Sequence, residues 1–301
     1  MMMSTTQGLL RSAALGLSVL LSITTAGHAA EGTSVLPDTS RVASVGGSIT
    51  EIVYALGEEA KLVARDSTSV YPEPALKLPD VGYMRALSPE GVLSVSPTGI
   101  LALEGSGPKE AVDVLKKASI PFVSIPEDFT HQGIVDKVRV VGKALGAEAK
   151  AEELATQVDQ QLNEAEALTA GIPQADRKRV LFILSLQGGK LLASGSGTAA
   201  DGIIDLAGAV NAVEGFSGYK QLTDEAAITA RPDIILMMDR EGELAIDDSE
   251  LYGHPAIAST PAGQARRVIR MDGAYLLGFG PRTASAVKDL AASLYGDAIK
   301  K

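Results

Sequence analysis

The sequence contains no cysteine and no tryptophan, its aromatic content is only 4%, and its three histidines are His28, His131 and His254. The absence of cysteine excludes disulfides, thiolate metal sites, iron–sulfur clusters and a cysteine nucleophile. A protein that holds zinc or manganese directly needs three or four His, Asp or Glu ligands, and the scattered histidines form no such cluster. Composition alone therefore argues against cysteine-dependent functions and against a histidine-rich metal site.

The charge balance is acidic, with 27 Lys and Arg residues against 37 Asp and Glu residues and a formal net charge of −10. A chain of this sign repels the phosphate backbone of nucleic acids and anionic lipids, which argues against both as partners. The remaining composition, 46% hydrophobic and 21% charged, is that of an ordinary globular protein.

The N-terminus has the pattern of a secretory signal peptide. Arg11 supplies a positive charge, residues 12–24 are mostly apolar, and Gly27-His28-Ala29 places small residues where signal peptidase needs them. A membrane-spanning helix needs about 20 apolar residues, so this run is too short for that alternative. We predict a signal peptide over residues 1–29, with cleavage after Ala29 (after Ala30 as the alternative), and a soluble exported chain.

Short β-rich segments alternate with amphipathic segments in both halves of the remaining chain. Strand patterns lie at residues 41–45, 61–65, 98–103, 121–125, 180–184, 234–238 and 268–271. Helical patterns lie at residues 48–56, 89–95, 109–118, 132–145, 199–206, 224–230 and 283–294. This alternation is typical of α/β folds with parallel sheets. We predict an N-terminal α/β lobe over residues 30–146 and a C-terminal α/β lobe over residues 172–301.

The segment between these lobes predicts one long helix. Residues 148–170 contain no glycine or proline, and Gly171 follows them. An apolar residue recurs there at spacings of four and three, at Leu154, Val158, Leu162, Ala165 and Leu168. We predict a bridging helix over residues 147–171, with an ordinary surface helix as the alternative.

The two halves also contain an ungapped internal repeat. Leu87–Leu101 aligns with Leu222–Leu236 at a constant offset of 135 residues, and each copy has a Ser or Thr helix cap, a proline turn and a strand. Two equivalent lobes enclose a cleft, and clefts between domains are common ligand sites. This plan favours a solute receptor, with a duplication that binds no ligand as the alternative.

Several loop motifs carry a family resemblance. They are Val45-Gly-Gly-Ser-Ile-Thr-Glu51, Arg65-Asp-Ser-Thr-Ser69, Leu78-Pro-Asp-Val-Gly-Tyr-Met-Arg85, Leu87-Ser-Pro-Glu-Gly-Val-Leu93, Gly215-Phe-Ser-Gly-Tyr-Lys220 and Leu276-Leu-Gly-Phe-Gly-Pro-Arg282. With these motifs the chain, from about Arg41 to its C-terminus, resembles the periplasmic heme-binding proteins of bacterial ABC heme importers. The resemblance implies a class III periplasmic-binding-protein fold: two similar α/β lobes with parallel sheets, one long bridging α-helix, and a ligand cleft between the lobes.

The resemblance further implies that Tyr83 is the heme iron ligand, with Arg85 beside it. A phenol ordinarily titrates near pH 10, but Fe³⁺ and a nearby cation both favour the phenolate, which is a recognised heme ligand. Tyr71, in a neighbouring loop, is the rival ligand, and a half-buried structural tyrosine is the alternative for Tyr83. Some relatives carry a histidine at the strand end occupied here by Leu186-Gln187, so histidine ligation from the second lobe is in doubt.

Other heme-pocket residues that the resemblance implies are Gly46, Gly47, Ser48, Tyr219, Lys220 and Arg282. Tyr219 and Lys220 would cover the second face of the heme or pair with a propionate, and Arg282 is another propionate candidate. For these last three residues, ordinary surface positions are the alternative.

Glu90 and Glu225 occupy the same place in the internal repeat. In proteins of this resemblance the matching glutamates dock onto arginines of the two subunits of an ABC permease. The alternative is local, because a carboxylate in the first turn of a helix complements the helix dipole by about 0.3–1 kcal/mol.

The sequence therefore predicts a monomeric periplasmic receptor for ferric heme that serves iron acquisition and delivers heme to an inner-membrane permease driven by an ATPase. We predict that it is not an enzyme, because the sequence has no G-x-S-x-G nucleophile motif and few histidines. The alternatives are a siderophore or cobalamin receptor of the same fold, a secreted α/β enzyme, and a heme-storage or structural protein without a transporter.

Overall fold

The computed structural model describes residues 35–239 and 245–299. The predicted signal peptide and its cleavage site lie outside the described residues. Within the described ranges, no helix is both long enough and apolar enough to cross a bilayer.

The secondary structure alternates as the sequence predicts. The strands are β1 (Val42–Val45), β2 (Leu62–Arg65), β3 (Gly99–Leu103), β4 (Phe122–Ile125), β5 (Arg179–Gln187), β6 (Lys190–Ser194), β7 (Val210–Asn211), β8 (Tyr219–Leu222), β9 (Ile234–Asp239) and β10 (Val268–Asp272). The α-helices are α1 (Gly47–Ala55), α2 (Pro89–Ser94), α3 (Lys109–Lys117), α4 (His131–Ala144), α5 (Glu148–Ala167), α6 (Ala199–Leu206), α7 (Asp224–Ala230), α8 (Asp248–Gly253), α9 (Pro255–Ala258), α10 (Pro261–Gln264), α11 (Gly273–Leu277) and α12 (Thr283–Tyr295).

The first sheet is entirely parallel, in the order β2-β1-β3-β4. Every residue of β1 and β3 is buried, as expected for central strands of a parallel sheet that is covered on both faces. We call this sheet with helices α1–α4 the N-lobe.

The second sheet is mixed, in the order β10-β9-β5-β6-β8, with β7 beside the start of β5. Strands β10, β9 and β5 are parallel, which confirms the prediction for the centre of the sheet. The sequence analysis missed β6 and β8, which extend the sheet in antiparallel fashion. We call this sheet with helices α6–α12 the C-lobe.

The internal repeat is visible in both lobes. Strands β3 and β9 begin 135 positions apart, at Gly99 and Ile234, and each follows a short helix that starts at a Ser or Thr cap. Each pairs in parallel with the first strand of its own lobe, β1 or β5.

Helix α5 connects the lobes and packs against α4 of the N-lobe and α12 of the C-lobe. It ends at Ala167, so the predicted helix over residues 147–171 is too long at its C-terminal end. The buried face shares Val158, Leu162 and Ala165 with the predicted stripe. Towards the N-terminus it continues through Ala155 and Ala151, while Leu154 is only partly buried. Leu168 caps the helix and is 37% exposed, because the chain turns away before this position could pack.

One hydrophobic core runs through both lobes, and a second lies on the outer face of the C-lobe sheet. Strand β5 separates them, because successive side chains of a strand point to opposite faces. Val180 and Phe182 pack into the shared core, whereas Leu181 and Ile183 pack into the outer one.

Candidate functional site

A cleft of about 770 Å³ opens between the two lobes. Its size is within the range of small-molecule binding sites. The N-lobe contributes Gly47, Ser48, Glu51, Thr68, Val70, Tyr71, Tyr83, Met84, Arg85, Leu103, Glu104, Gly105, Glu127 and Phe129. The C-lobe contributes Leu184, Ala199, Tyr219, Met238, Asp272, Gly273, Ala274, Leu277, Gly278 and Arg282.

The structure brings most of the sequence-predicted pocket residues together in this cleft: Gly47, Ser48, Tyr71, Tyr83, Arg85, Tyr219 and Arg282. Two predicted residues do not line it. Lys220 is exposed, with its ammonium group 5.6 Å from the centre of the Phe216 ring. Gly46 lies behind the lining, at the N-cap of α1.

Tyr83 and Arg85 lie in a tight turn whose middle residue, Met84, is buried. The amide of Ala86 donates to the carbonyl of Tyr83 at 2.8 Å, and the amide of Gly107 donates to the carbonyl of Met84 at 2.8 Å. Met84 packs into the core that both lobes share and also borders the cleft, and its two neighbours line the cleft with it. Tyr83 is 47% exposed, and its side chain has no hydrogen-bond or ring partner among the described residues.

Gly46 and Gly47 allow the start of α1 to approach two neighbouring segments closely. Gly46 has φ +125°, and its amide donates to the buried carboxylate of Asp66 at 3.0 Å. A Cβ atom on Gly47 would lie 2.7 Å from the carbonyl oxygen of Thr68, a distance that backbone cannot tolerate. Gly46 therefore shapes the cleft without lining it.

Arg282, at the start of α12, is held from the opposite lobe by Glu51 of α1. Its Nε donates to Glu51 Oε2 at 2.9 Å, and its backbone amide donates to Glu51 Oε1 at 3.0 Å. The guanidinium carbon lies 3.7 Å from the centre of the Tyr71 ring, which is a close cation–π contact. Burial raises the pKa of Glu51, although the charge of Arg282 opposes that shift.

A second buried ion pair lies below the cleft. The fully buried ammonium of Lys137 contacts Glu127, and it also donates to the carbonyl of Phe279 in the C-lobe at 3.0 Å. Burial lowers the pKa of Lys137 and raises the pKa of Glu127. Sequence analysis missed this pair, although a lysine in the apolar stripe of α4, between Ile134 and Val138, was a readable signal.

Two acids of the cleft wall are thus paired with cations, whereas Arg85 forms no ion pair with any described residue. The rest of the wall is largely apolar, with Leu103, Phe129, Leu184 and Leu277 facing the cavity. Such a wall suits an extended apolar ligand with a negative group placed at Arg85, since Glu104 and Asp272 add further acids to the wall. The described residues contain no group of three His, Asp or Glu side chains that could hold a bare metal ion.

Tyr219 differs from Tyr83 in its surroundings. Burial raises the pKa of Tyr219, and the Phe182 ring lies 6.3 Å from its own. A raised pKa keeps this side chain as a neutral phenol. Tyr219 therefore fits a hydrogen-bonding or packing role better than an anionic one.

Glu90 and Glu225 both lie exposed in the first turn of their helices, α2 and α7. Neither carboxylate forms an ion pair with a described residue. The caps are supplied by other side chains: Ser88 accepts from the amide of Gly91 at 3.4 Å, and Thr223 accepts from the amide of Ala226 at 3.2 Å.

Several solved structures are similar to this chain along nearly all of its length. One is the periplasmic heme-binding protein BhuT in complex with two hemes, at 37% identity and TM-score 0.80, covering 86% of this chain and 98% of that one. Another is the periplasmic heme-binding protein RhuT from Roseiflexus sp. RS-1 in apo form, at 37% identity and TM-score 0.80, covering 87% and 100%.

Two curated proteins are more distant relatives. The uncharacterized ABC transporter substrate-binding lipoprotein YvrC of Bacillus subtilis (strain 168) is 27% identical over 89% of this chain and 84% of its own length. The vitamin B12-binding protein of Yersinia pestis (strain Pestoides F) is 29% identical over 68% of this chain and 71% of its own length. A family model described as periplasmic binding protein matches residues 42–275. The chain therefore belongs to the periplasmic binding protein family.

Proposed function

We propose that this protein is an exported receptor that captures ferric heme in the cleft and delivers it to an ABC permease of the inner membrane. The observation that carries the proposal is Tyr83. Its side chain is half exposed in the cleft and has no partner among the described residues, and Arg85, two positions further along the chain, lines the same cleft. A phenol beside a cation is well suited to bind Fe³⁺ as the phenolate.

The other two tyrosines of the cleft suit the iron less well. The face of the Tyr71 ring is occupied by the guanidinium of Arg282, and the pKa of Tyr219 is raised by burial. Tyr83 is therefore our candidate iron ligand, and Tyr71 and Tyr219 are pocket walls. The described cleft lining contains no histidine that could compete with Tyr83 for the iron.

Heme needs partners for its negative groups, and the cleft offers two cations beside the carboxylates of Glu51, Glu104, Glu127 and Asp272. The two propionates of heme are anions, and Arg85 and Arg282 are the arginines of the described lining. Apolar side chains of both lobes can bury the faces of the macrocycle. Two relatives at 37% identity, each named a periplasmic heme-binding protein, support the same ligand.

Delivery requires a partner, for which Glu90 and Glu225 are our candidate contacts. They are exposed, unpaired among the described residues, and equivalent in the repeat, which suits a partner built from two similar subunits. Charge pairs at the rim of an interface chiefly set orientation and encounter rate. We further propose a monomer, export through the signal peptide over residues 1–29, and a role in binding rather than catalysis.

The test is an absorption titration of the purified protein with hemin. We expect a saturable Soret band with the charge-transfer features of a high-spin ferric tyrosinate complex. A spectrum identical to free hemin would contradict the proposal.

A cobalamin receptor is the second candidate, because a curated relative at 29% identity is named a vitamin B12-binding protein. Calorimetric titration with cyanocobalamin distinguishes the two candidates. Tight binding of cyanocobalamin together with no binding of hemin would select the second.

A further inference from the structure

We propose that Glu51 is a positioning residue: it orients Arg282 so that the guanidinium binds a carboxylate of the ligand in the cleft. The inference rests on the proposed function and names the part of heme, a propionate, that this site recognises.

Only some of the donor groups of Arg282 are used within the protein. Glu51 accepts hydrogen bonds from the backbone amide and from Nε, at 3.0 and 2.9 Å. No described residue accepts a hydrogen bond from Nη1 or Nη2. Arg282 lines the cleft, so these nitrogens form the part of the guanidinium that remains for a ligand.

The position of the guanidinium is fixed from several directions. The backbone amide of Arg282 lies at the start of α12 and therefore has no acceptor within the helix. The Glu51 carboxylate accepts its hydrogen bond instead. The Tyr71 ring covers the guanidinium with its centre 3.7 Å from Cζ, and the centre of the Tyr275 ring is 5.4 Å away. An arginine held in this way has already lost most of its rotamer freedom, so a ligand that it binds need not bear that cost.

A carboxylate is the group that fits the free nitrogens. Two parallel N–H groups of a guanidinium match the two oxygens of a carboxylate, and such paired bonds are among the strongest hydrogen bonds in proteins. Because Glu51 already offsets the charge of Arg282, geometry rather than net charge must supply the preference for this group.

The arrangement joins the two lobes, since Glu51 belongs to α1 of the N-lobe and Arg282 to α12 of the C-lobe, 231 positions apart. The carboxylate site therefore exists only while the lobes keep their present contact.

The experiment compares hemin with hemin dimethyl ester, which has the same iron and macrocycle but no carboxylate. Dissociation constants for both ligands are measured by Soret titration for the wild type, Arg282→Gln, Glu51→Asp and the Arg282→Gln/Glu51→Asp double variant. Glu51→Asp keeps the charge and shortens the reach by one methylene. Glu152→Asp is the matched control, because Glu152 forms a similar ion pair with Arg139, at 2.8 Å, on the exposed faces of α4 and α5.

We expect the wild type to bind hemin at least about tenfold more tightly than the ester. Arg282→Gln should lower that preference several-fold and leave the part that Arg85 supplies. Glu51→Asp should lower it by nearly as much, and the double variant should match Arg282→Gln. Glu152→Asp should behave as the wild type. Equal loss of affinity for both ligands in Glu51→Asp, or a wild type without preference, would overturn the inference while leaving heme binding intact. A wild type that binds neither ligand would overturn the proposed function and this inference together.

Glu51→Gln is the second variant, used if Glu51→Asp does not fold as judged by its melting temperature. It preserves the shape and one acceptor oxygen, so an intermediate preference is expected. Tighter hemin binding in Glu51→Gln would mean that only the charge of Glu51 matters and would contradict a positioning role.

Discussion

Lys137 and Phe279 lie 142 positions apart in the sequence, yet the ammonium of Lys137 donates to the backbone carbonyl of Phe279 at 3.0 Å. The same ammonium forms an ion pair with Glu127, so one buried cation contacts a loop of the N-lobe and a loop of the C-lobe. The Phe129 and Phe279 rings pack edge to face directly beside it, with centres 5.1 Å apart.

Lys137→Met should destabilise the protein by about 3–5 kcal/mol at pH 7.5, because it leaves Glu127 buried without its ion-pair partner, with only the charge of Arg85 acting on it. The deficit should shrink as the pH is lowered towards 5. Burial already raises the pKa of Glu127, and loss of the lysine raises it further, so protonation of this carboxyl in the folded state relieves the penalty. Urea denaturation at both pH values measures the effect.

Lys288→Met is the control, since Lys288 pairs with Glu164 in an exposed position. It should change stability little at either pH. A deficit of Lys137→Met that stayed constant with pH would contradict the role given to Glu127.

Tyr83→Phe should eliminate the ferric tyrosinate spectrum and weaken hemin binding by at least about tenfold, because it removes the iron-binding oxygen and keeps the ring. Tyr71→Phe is the matched variant, and it should retain the spectrum, since the ring that contacts Arg282 is preserved. Soret titration of both variants decides between them. Loss of the spectrum in Tyr71→Phe, with the spectrum retained in Tyr83→Phe, would identify Tyr71 as the iron ligand.

Arg85→Gln should still bind hemin, but the tyrosinate spectrum should disappear at a higher pH than in the wild type. A nearby cation favours the phenolate, so its loss makes protonation of the ligand easier as the pH falls. Spectra of the loaded protein recorded from pH 8 to pH 4 give the midpoint. Equal midpoints in Arg85→Gln and the wild type would mean that Arg85 does not stabilise the phenolate.

Glu90→Ala combined with Glu225→Ala should abolish heme uptake through the reconstituted importer while hemin affinity and melting temperature stay nearly constant. The control is Glu110→Ala with Glu250→Ala, which removes two exposed first-turn carboxylates at positions outside the repeat. Normal uptake by the first double variant would leave Glu90 and Glu225 with a local effect on helix stability only.

Scattering profiles of the free and the heme-loaded protein should nearly coincide. Helix α5 is a rod of roughly 30 Å, and wide closure needs hinge loops that absorb large backbone changes. The Lys137–Phe279 and Glu51–Arg282 contacts oppose such a change as well. A large decrease in the radius of gyration on loading would refute this expectation.

Local patterns were sufficient to predict much of the fold. Central strands such as β3 and β9 are continuous apolar runs that follow a capped helix, and both are read from the sequence directly. Strands β6 and β8 were not predicted because polar residues interrupt their apolar pattern. The two-residue Gly188-Gly189 turn after β5 is a recognised hairpin signal, and it is the one local pattern that predicts β6.

The candidate site was predictable where it is built from loops that follow strands, as for Tyr71, Tyr83 and Arg85. Arg282 was predicted for the pocket, but its pairing with Glu51 was not predictable, because no periodicity relates positions 231 residues apart. The resemblance implied that Lys220 lies in the pocket beside Tyr219, but successive residues of a strand face opposite ways, and β8 contains both.

The shared core has a consequence for how the chain can be divided. Leu276, Phe279 and Val287 of the C-lobe belong to the same core as Ile49 and Ile134 of the N-lobe. A fragment that ended after α5 would expose that apolar surface to water and would lack the residues that cover it. The two halves repeat the same plan, yet each needs the other to complete its core. Removing or exchanging one half would therefore destabilise the other.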